Sequence, residues 1–170
     1  MIKQVELVLA RMEDLDEIFA LCRDVAEKTP SSHWGEDYPT RGILAHDLQT
    51  QTLYKVTDGK KIVSIMSIRP WTVFMESEDA DDIDGWDKSI HNPCALGRFC
   101  VSPACQHQGL GRRVMAASLE KAKEMGFDGA FFHMVKGNDI AQALYDSMGF
   151  ECVGEVDEYG MGFLCFQMKL

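Results

Sequence analysis

Apolar and polar residues alternate or recur at helical spacing along the first half of the chain, and each pattern predicts one element. Alternation over 5–9 predicts an opening strand. Apolar residues at helical spacing predict a helix over about 13–28 and another that begins near Thr40. Two strand-like runs joined by a short turn with an aspartate-glycine pair are typical of a hairpin, and they are 53–56 and 62–68.

The second half adds six elements in the order strand, helix, strand, helix, strand, strand. The predicted ranges are 95–101, 111–125, 130–135, 138–149, 150–156 and 163–170. The full order, β-α-α-β-β-β-α-β-α-β-β, is typical of the α/β class. A length of 170 residues fits one domain with a sizeable core, so we expect a single domain over 1–170.

Composition favours a soluble globular protein, with 46% hydrophobic and 26% charged residues. No apolar run approaches the roughly 20 residues of a membrane span, and the first residues do not resemble a secretory signal. We therefore expect a cytoplasmic protein without a membrane partner. None of the six cysteines forms a Cys-x-x-Cys pair, which predicts reduced thiols and no metal site.

The formal net charge of −10 excludes non-specific nucleic-acid binding, because the phosphate backbone would be repelled. The same charge favours a cationic partner. Seven acids and no base lie in the segment 76–87. This segment is either a solvated surface loop or a lure for a cationic ligand.

A glycine-containing turn lies between the strand at 95–101 and the helix that follows it. Gly109 and Gly111 remove side chains where the backbone approaches another group, and Arg112 adds positive charge. The first amides of a helix bind anions, so this turn suits a pyrophosphate. It is neither a dinucleotide fingerprint, because Val114 replaces the third glycine, nor a P-loop, because no Gly-Lys-Ser/Thr is present. The alternative is a glycine turn without a ligand.

Two segments together resemble motifs of the GNAT acetyltransferase superfamily. Its coenzyme A turn follows a Val-x-Pro strand end, here Val101-Ser102-Pro103, and is matched by Gln106, Gly109 and Gly111. Its Asn-x-x-Ala-x-x-Leu-Tyr-x-x-x-Gly-Phe segment is matched by Asn138, Ala141, Leu144, Tyr145, Gly149 and Phe150. The resemblance is strong over 95–156 and weak elsewhere. Gln108 and Arg112 also resemble the subgroup that acetylates protein N-termini.

The resemblance implies a mixed, mostly antiparallel sheet of six to seven strands, flanked by helices, with its central strands splayed to admit coenzyme A. It implies an N-acetyltransferase with acetyl-CoA as donor, an amine acceptor that is cationic, and a possible homodimer. The residues implied in coenzyme binding are Phe99, Cys100, Val101, Gln106, His107, Gln108, Gly109, Leu110, Gly111, Arg112, Asn138 and Tyr145.

By the same resemblance, Tyr145 is the acid that returns a proton to the coenzyme thiolate, and Trp34, Glu36 and Tyr38 wall the acceptor site. The general base stays open. Relatives place a glutamate where this chain has Ala95 or Met134, and neither accepts a proton. A core role is the expectation for His133; the base candidates are His91, Glu36, Asp37 and the acids of 76–87. The missing glutamates leave a second hypothesis, a non-catalytic acyl-CoA sensor.

Overall fold

The computed structural model describes residues 5–35, 38–71 and 85–170. The four α-helices are α1 (Leu15–Lys28), α2 (Arg41–Gln49), α3 (Leu110–Glu124) and α4 (Asp139–Met148). The seven strands are β1 (Val8–Leu9), β2 (Leu53–Thr57), β3 (Ile62–Pro70), β4 (Pro93–Val101), β5 (Gly129–Val135), β6 (Glu151–Glu158) and β7 (Met161–Lys169). Every predicted element is present, although the opening strand is shorter than the alternation over 5–9 suggested.

The seven strands form one mixed sheet in the order β1-β2-β3-β4-β5-β7-β6. Antiparallel pairing joins β1 to β2, β2 to β3, β5 to β7 and β6 to β7. Strands β4 and β5 pair in parallel, and Pro93–Ala95 lie opposite Gly129–Phe131. The predicted α/β class, with a mixed and mostly antiparallel sheet, is confirmed.

The chain divides into two compact units, each built from two separate stretches of sequence. The single domain over 1–170 stays a prediction. The first unit comprises 1–68 and 98–118, which we call the N-terminal unit. In its core, residues of α1 and α2 pack against β2, β3 and the end of β4, and they include Ile18, Leu44, Leu53, Ile65 and Cys100. This packing gives the end of β4 a rigid support.

The second unit comprises 69–97 and 119–170, which we call the C-terminal unit. Its α4 begins where Asn138 Oδ1 accepts the Ala141 N–H at 3.2 Å, and it ends at Gly149, whose φ is +86°. These are the cap and the stop that the sequence predicts. A cluster of aromatic rings, Phe132, Tyr145, Phe150 and Phe166, packs beneath this helix.

The cysteines are free thiols, as predicted, but they are not all buried. Cys22, Cys94, Cys100 and Cys165 are buried, whereas Cys105 is partly exposed and Cys152 is exposed. Cys152 lies on β6, the last strand of the sheet, which has a mostly exposed residue pattern. Within the described ranges, no helix combines the length and apolar character that crossing a bilayer requires.

A partly buried ion pair gives the N-terminal unit a stability that depends on pH. Lys55 Nζ donates to Asp14 Oδ1 at 2.6 Å, and the two side chains are 18% and 12% exposed. Burial raises the pKa of Asp14, but the hydrogen bonds and charge of Lys55 and Arg11 lower it more, so this pKa lies below its usual value. A carboxylate of this kind stabilises the fold above an unfolded-state pKa of about 3.9, and its contribution is lost as pH falls through the folded-state pKa.

We expect Asp14→Asn to lower the free energy of unfolding by about 1–2 kcal/mol at pH 7, because Lys55 loses its charged partner. The difference from wild type should shrink at a pH below the lowered folded-state pKa of Asp14, where Asp14 is protonated in both states. Urea unfolding of wild type and variant at pH 7 and at the lower pH measures this difference in the free energy of unfolding. Asp24→Asn, which breaks the exposed Lys28–Asp24 pair, is the control and should change stability by less than about 0.5 kcal/mol. A loss that is equal at both pH values would contradict the assignment.

Candidate functional site

The glycine turn lies in the N-terminal unit, between the end of β4 and the start of α3. A 3-10 helix over Pro103–Cys105 leads into it. His107 and Gly109 have positive φ values, +59° and +72°, and both are exposed. A Cβ placed on Gly109 would have no heavy atom within 4 Å. Glycine is therefore required at 109 by the backbone conformation, and the space outside it is open to a ligand.

The turn is braced by glutamine side chains that sequence analysis assigned to the coenzyme. Gln106 Nε2 donates to the Val101 carbonyl at 3.0 Å and to Thr29 Oγ1 at 3.1 Å. Gln108 Nε2 donates to the Ala104 carbonyl at 3.2 Å. The Gln106 side chain thus ties the turn to the end of β4 and to the residue that follows α1.

Helix α3 starts directly after the turn, with Leu110 as its first residue. The Arg113 N–H donates to the Gly109 carbonyl at 3.3 Å, so the amides of Leu110, Gly111 and Arg112 precede this first helical bond. The amides of this first turn carry the positive end of the helix dipole, and the Arg112 side chain is exposed beside them. Leu110 itself is buried against Val114. The arrangement is suited to a doubly charged anion.

The end of β4 carries a local break in strand geometry. Arg98 has a φ of +52°, which a non-glycine residue adopts at a cost of about 1–3 kcal/mol. Two residues later, the Cys100 carbonyl accepts the buried Ser64 hydroxyl at 2.6 Å, and the Ser102 N–H donates to the Val63 carbonyl at 2.8 Å. A side chain and a carbonyl of β3 therefore bond to the backbone at the end of β4.

The Cys100 side chain points into the core and is chemically inert. Its contact with the Cys22 thiol, together with burial, raises the pKa of Cys100 well above the usual value. A thiol of high pKa is a poor nucleophile. Any role of Cys100 towards a ligand therefore belongs to its backbone, as sequence analysis expected for Phe99, Cys100 and Val101.

Arg98 and Asp47 form a buried ion pair that sequence analysis missed. Arg98 Nε lies 3.1 Å from Asp47 Oδ2, and the side chains are 14% and 1% exposed. The Arg98 guanidinium also lies over the Tyr38 ring, 5.7 Å from its centroid. The signal was visible in α2, where Asp47 occupies the same face as Leu44 and Leu48, because an acid on an apolar face needs a partner.

The predicted acceptor wall is partly described. The rings of Trp34 and Tyr38 meet edge to face, with centroids 5.9 Å apart. Arg23 of α1 holds this loop, because its guanidinium donates to the Gly35 carbonyl at 2.7 Å and to the Tyr38 carbonyl at 2.6 Å. The predicted acceptor residue Glu36 and the base candidate Asp37 lie outside the described residues, as do the acids of 76–84.

The second predicted motif lies in the C-terminal unit. Tyr145 of α4 is 7% exposed, and its ring packs edge to face on Phe132 at 4.5 Å. Burial raises the pKa of Tyr145 above its usual value, so the phenol stays protonated at neutral pH. Asn138 uses Oδ1 for the helix cap, which leaves the amide nitrogen Nδ2 as its donor.

The next residues bear on the general base: His133 and His91, and the two positions where relatives carry a glutamate. The His133 side chain is 9% exposed, and its Nδ1 lies 3.2 Å from Glu158 Oε1, while its ring stacks with that of Trp86. His91 is exposed, and its backbone N–H donates to Asp128 Oδ2. Ala95 and Met134 are buried and apolar. Within residues 5–35, 38–71 and 85–170, no three potential metal ligands come together.

The acetyltransferase (GNAT) family profile matches residues 13–150. An uncharacterized N-acetyltransferase, YjgM, of Escherichia coli is 32% identical over 71 residues, which are 38% of this chain and 42% of that relative. The [ribosomal protein bS18]-alanine N-acetyltransferase of Haemophilus ducreyi is 30% identical over 63 residues, 37% of this chain and 43% of the relative. These alignments therefore span less than half of each relative.

Solved structures match the whole fold at low sequence identity. A GNAT-family acetyltransferase from Streptococcus agalactiae has a TM-score of 0.80 and 17% identity, with 100% of this chain and 98% of that chain covered. The PaiA N-acetyltransferase from Thermoplasma acidophilum in complex with coenzyme A has a TM-score of 0.70 and 15% identity, with 98% and 99% covered. At these identities the likeness concerns the fold alone.

Proposed function

The chain belongs to the acetyltransferase (GNAT) family, and from that premise we propose that it transfers an acetyl group from acetyl-CoA to a primary amine. The observation that carries this proposal is the turn before α3. There, Gly109 has a φ of +72° and open space where a side chain would lie, at the N-terminus of a 15-residue helix. Such an arrangement suits the pyrophosphate of coenzyme A.

In this proposal, the donor is bound mainly by backbone groups. The amides from Gly109 to Arg112 receive the pyrophosphate, and the Arg112 guanidinium adds charge. The backbone of Phe99–Val101 pairs with the pantetheine arm. Gln106 shapes the turn through its bonds to Val101 and Thr29.

The chemistry requires three events. A neutral amine attacks the thioester carbonyl, the resulting oxyanion is stabilised by a backbone N–H of Cys100 or Val101, and the C–S bond then breaks to release the coenzyme thiolate. Tyr145 donates its phenolic proton to the thiolate as the C–S bond breaks. Because the thiol has a pKa of about 8.5, below that of a phenol, this transfer is uphill and is completed when the proton lost by the amine returns to the Tyr145 phenolate through solvent.

The acceptor is proposed to be an amine that carries positive charge before it reacts. The net charge of −10 attracts such a molecule from solution. The exposed Tyr38 and the adjoining Trp34 offer aromatic surface, to which a cation is attracted. The ribosomal-protein relative makes a protein N-terminal amine one class to test, and polyamines and amino acids are the others.

Calorimetry and thiol release test the function in sequence. Purified protein is titrated with coenzyme A, and release of the free thiol from acetyl-CoA is then followed with polyamines, amino acids and short peptides with free N-termini. We expect micromolar coenzyme binding and acceptor-dependent release with at least one class. Binding without release in every class would support the sensor hypothesis, which the buried apolar Ala95 and Met134 favour. Absence of binding would remove the donor.

A further inference from the structure

The backbone of β4 is strained at Arg98, directly before Phe99–Val101, the residues proposed to face the thioester. Its φ of +52° lies in the left-handed region, which arginine rarely adopts, and Phe99–Val101 follow at once. The preceding residue, Gly97, has no such φ value. A strained arginine persists only where surrounding contacts hold it, so the contacts of its side chain are informative.

The contact with Asp47 costs the fold desolvation free energy, because it buries two charges. Asp47 is 1% exposed and Arg98 is 14% exposed, so both charges have left water. Buried ion pairs of this kind contribute little net stability, because desolvation offsets their attraction, and apolar side chains of similar volume often serve as well. Stability alone therefore does not account for the pair, whereas a fixed geometry at Arg98 does.

The same guanidinium also reaches the loop that carries Tyr38. It lies 5.7 Å from the centre of the Tyr38 ring, and the Arg23 guanidinium donates to the Tyr38 carbonyl. Asp47 is itself anchored, because the Thr52 N–H donates to its carbonyl at 3.0 Å. Arg98 thus joins three elements of the N-terminal unit: helix α2, strand β4 and the loop proposed to contact the acceptor.

We infer that Arg98, held by Asp47, is a positioning residue that fixes the backbone of Phe99–Val101 relative to the acceptor loop. This inference rests on the proposed function, because the positioned amides are those assigned to the thioester. Arg98 does not touch the reacting atoms. It keeps their hydrogen-bond donors at one distance and angle, and a displacement of about 1 Å at such a site lowers turnover by about a hundredfold.

The test compares two double variants that remove both charges together, so that no single buried charge remains. Asp47→Leu/Arg98→Met removes the pair and leaves a side chain that disfavours positive φ. Asp47→Leu/Arg98→Gly removes the pair and leaves a residue that accepts it. Asp14→Leu/Lys55→Met is the matched control, because it removes a partly buried ion pair of the same unit that joins β2 to the residue before α1 and not to β4.

We expect the Arg98→Met double variant to lose about ten- to a hundredfold in kcat, while KM for acetyl-CoA changes less than about threefold. The Arg98→Gly double variant should recover at least threefold of that loss, and the control variant should keep wild-type kcat. Thermal unfolding, followed in parallel, identifies variants that do not fold. A folded Arg98→Met variant with wild-type kcat, or glycine and methionine variants of equal kcat, would overturn the inference.

Hydrogen exchange separates this inference from the proposed function, because it needs no acceptor. The amides of 98–101, at the end of β4, should exchange at least tenfold faster in the Arg98→Met double variant than in wild type. Exchange of the β3 amides should be unchanged. Faster exchange in a protein that shows no acetyl transfer would leave the positioning role standing and remove the reaction. Unchanged exchange in an active protein would remove the positioning role and leave the reaction standing.

Discussion

Gly109→Val is expected to weaken coenzyme A binding by about a hundredfold. Valine disfavours a φ of +72°, and its side chain would enter the open space next to the first amides of α3. Losing one or two charge-assisted bonds to the pyrophosphate, at about 1.5–3 kcal/mol each, accounts for this factor. Calorimetric titration of folded variant protein with coenzyme A gives the dissociation constant.

Gly160→Val is the matched control for this experiment. Gly160 lies in the β6–β7 hairpin with a φ of +74°, and a Cβ there would also have no heavy atom within 4 Å. Both variants should lose about 1–2 kcal/mol of stability from backbone strain, because the strain is the same. Only the variant at 109 should lose coenzyme affinity. Equal affinity in the two variants would show that the turn does not bind the coenzyme.

Tyr145→Phe is expected to lower kcat by about a hundred- to a thousandfold and to leave the dissociation constant of coenzyme A within twofold of wild type. The variant loses the phenolic proton that the leaving thiolate requires, which is worth a factor of this size. The ring stays, and with it the packing against Phe132 at 4.5 Å and Phe166 at 5.6 Å. Steady-state kinetics with an accepted amine, together with calorimetry, separate the two effects.

Tyr54→Phe is the control for the loss of a buried hydroxyl, since Tyr54 and Tyr145 are both 7% exposed. Its kcat should remain that of wild type. The pH profile adds a second check. Burial raises the pKa of Tyr145 above about 10, so the acid stays protonated up to that pH and its ionisation should cause no loss of kcat on the alkaline side below about pH 10. A fall centred near pH 8 that Tyr145→Phe abolishes would contradict this environment, and unchanged kcat in Tyr145→Phe would remove the residue from the reaction.

Local patterns in the sequence were sufficient to predict the elements. The alternation and helical spacing of apolar residues placed α1, α3 and the β2–β3 hairpin within a few residues of their observed ends. Asn138 and Gly149 marked the ends of α4, because a side-chain cap and a left-handed glycine act on their own immediate neighbours. The family motifs supplied the mixed, mostly antiparallel character of the sheet, which apolar periodicity does not contain, and the order of its strands came from the structure.

The glycine turn was likewise visible in the sequence. Gly109 has the positive φ that only glycine adopts easily, and Gly111 falls in the first turn of α3. The contacts that Gln106 makes within the fold were not visible. Its side chain bonds to Val101 and Thr29, and Thr29 lies 77 residues away along the chain.

The sequence by itself determined the helices and strands, the family and the location of the glycine turn proposed to bind the pyrophosphate, because each of these depends on residues close together in the chain. The tertiary structure alone decided how β4 is held. Asp47 lies on an apolar face of α2, which indicates that it needs a partner, but Arg98 is far away in sequence and only the folded chain identifies it as that partner. A strained strand residue depends on contacts that only the folded chain brings together, and for that reason the positioning of Phe99–Val101 could not be read from the sequence.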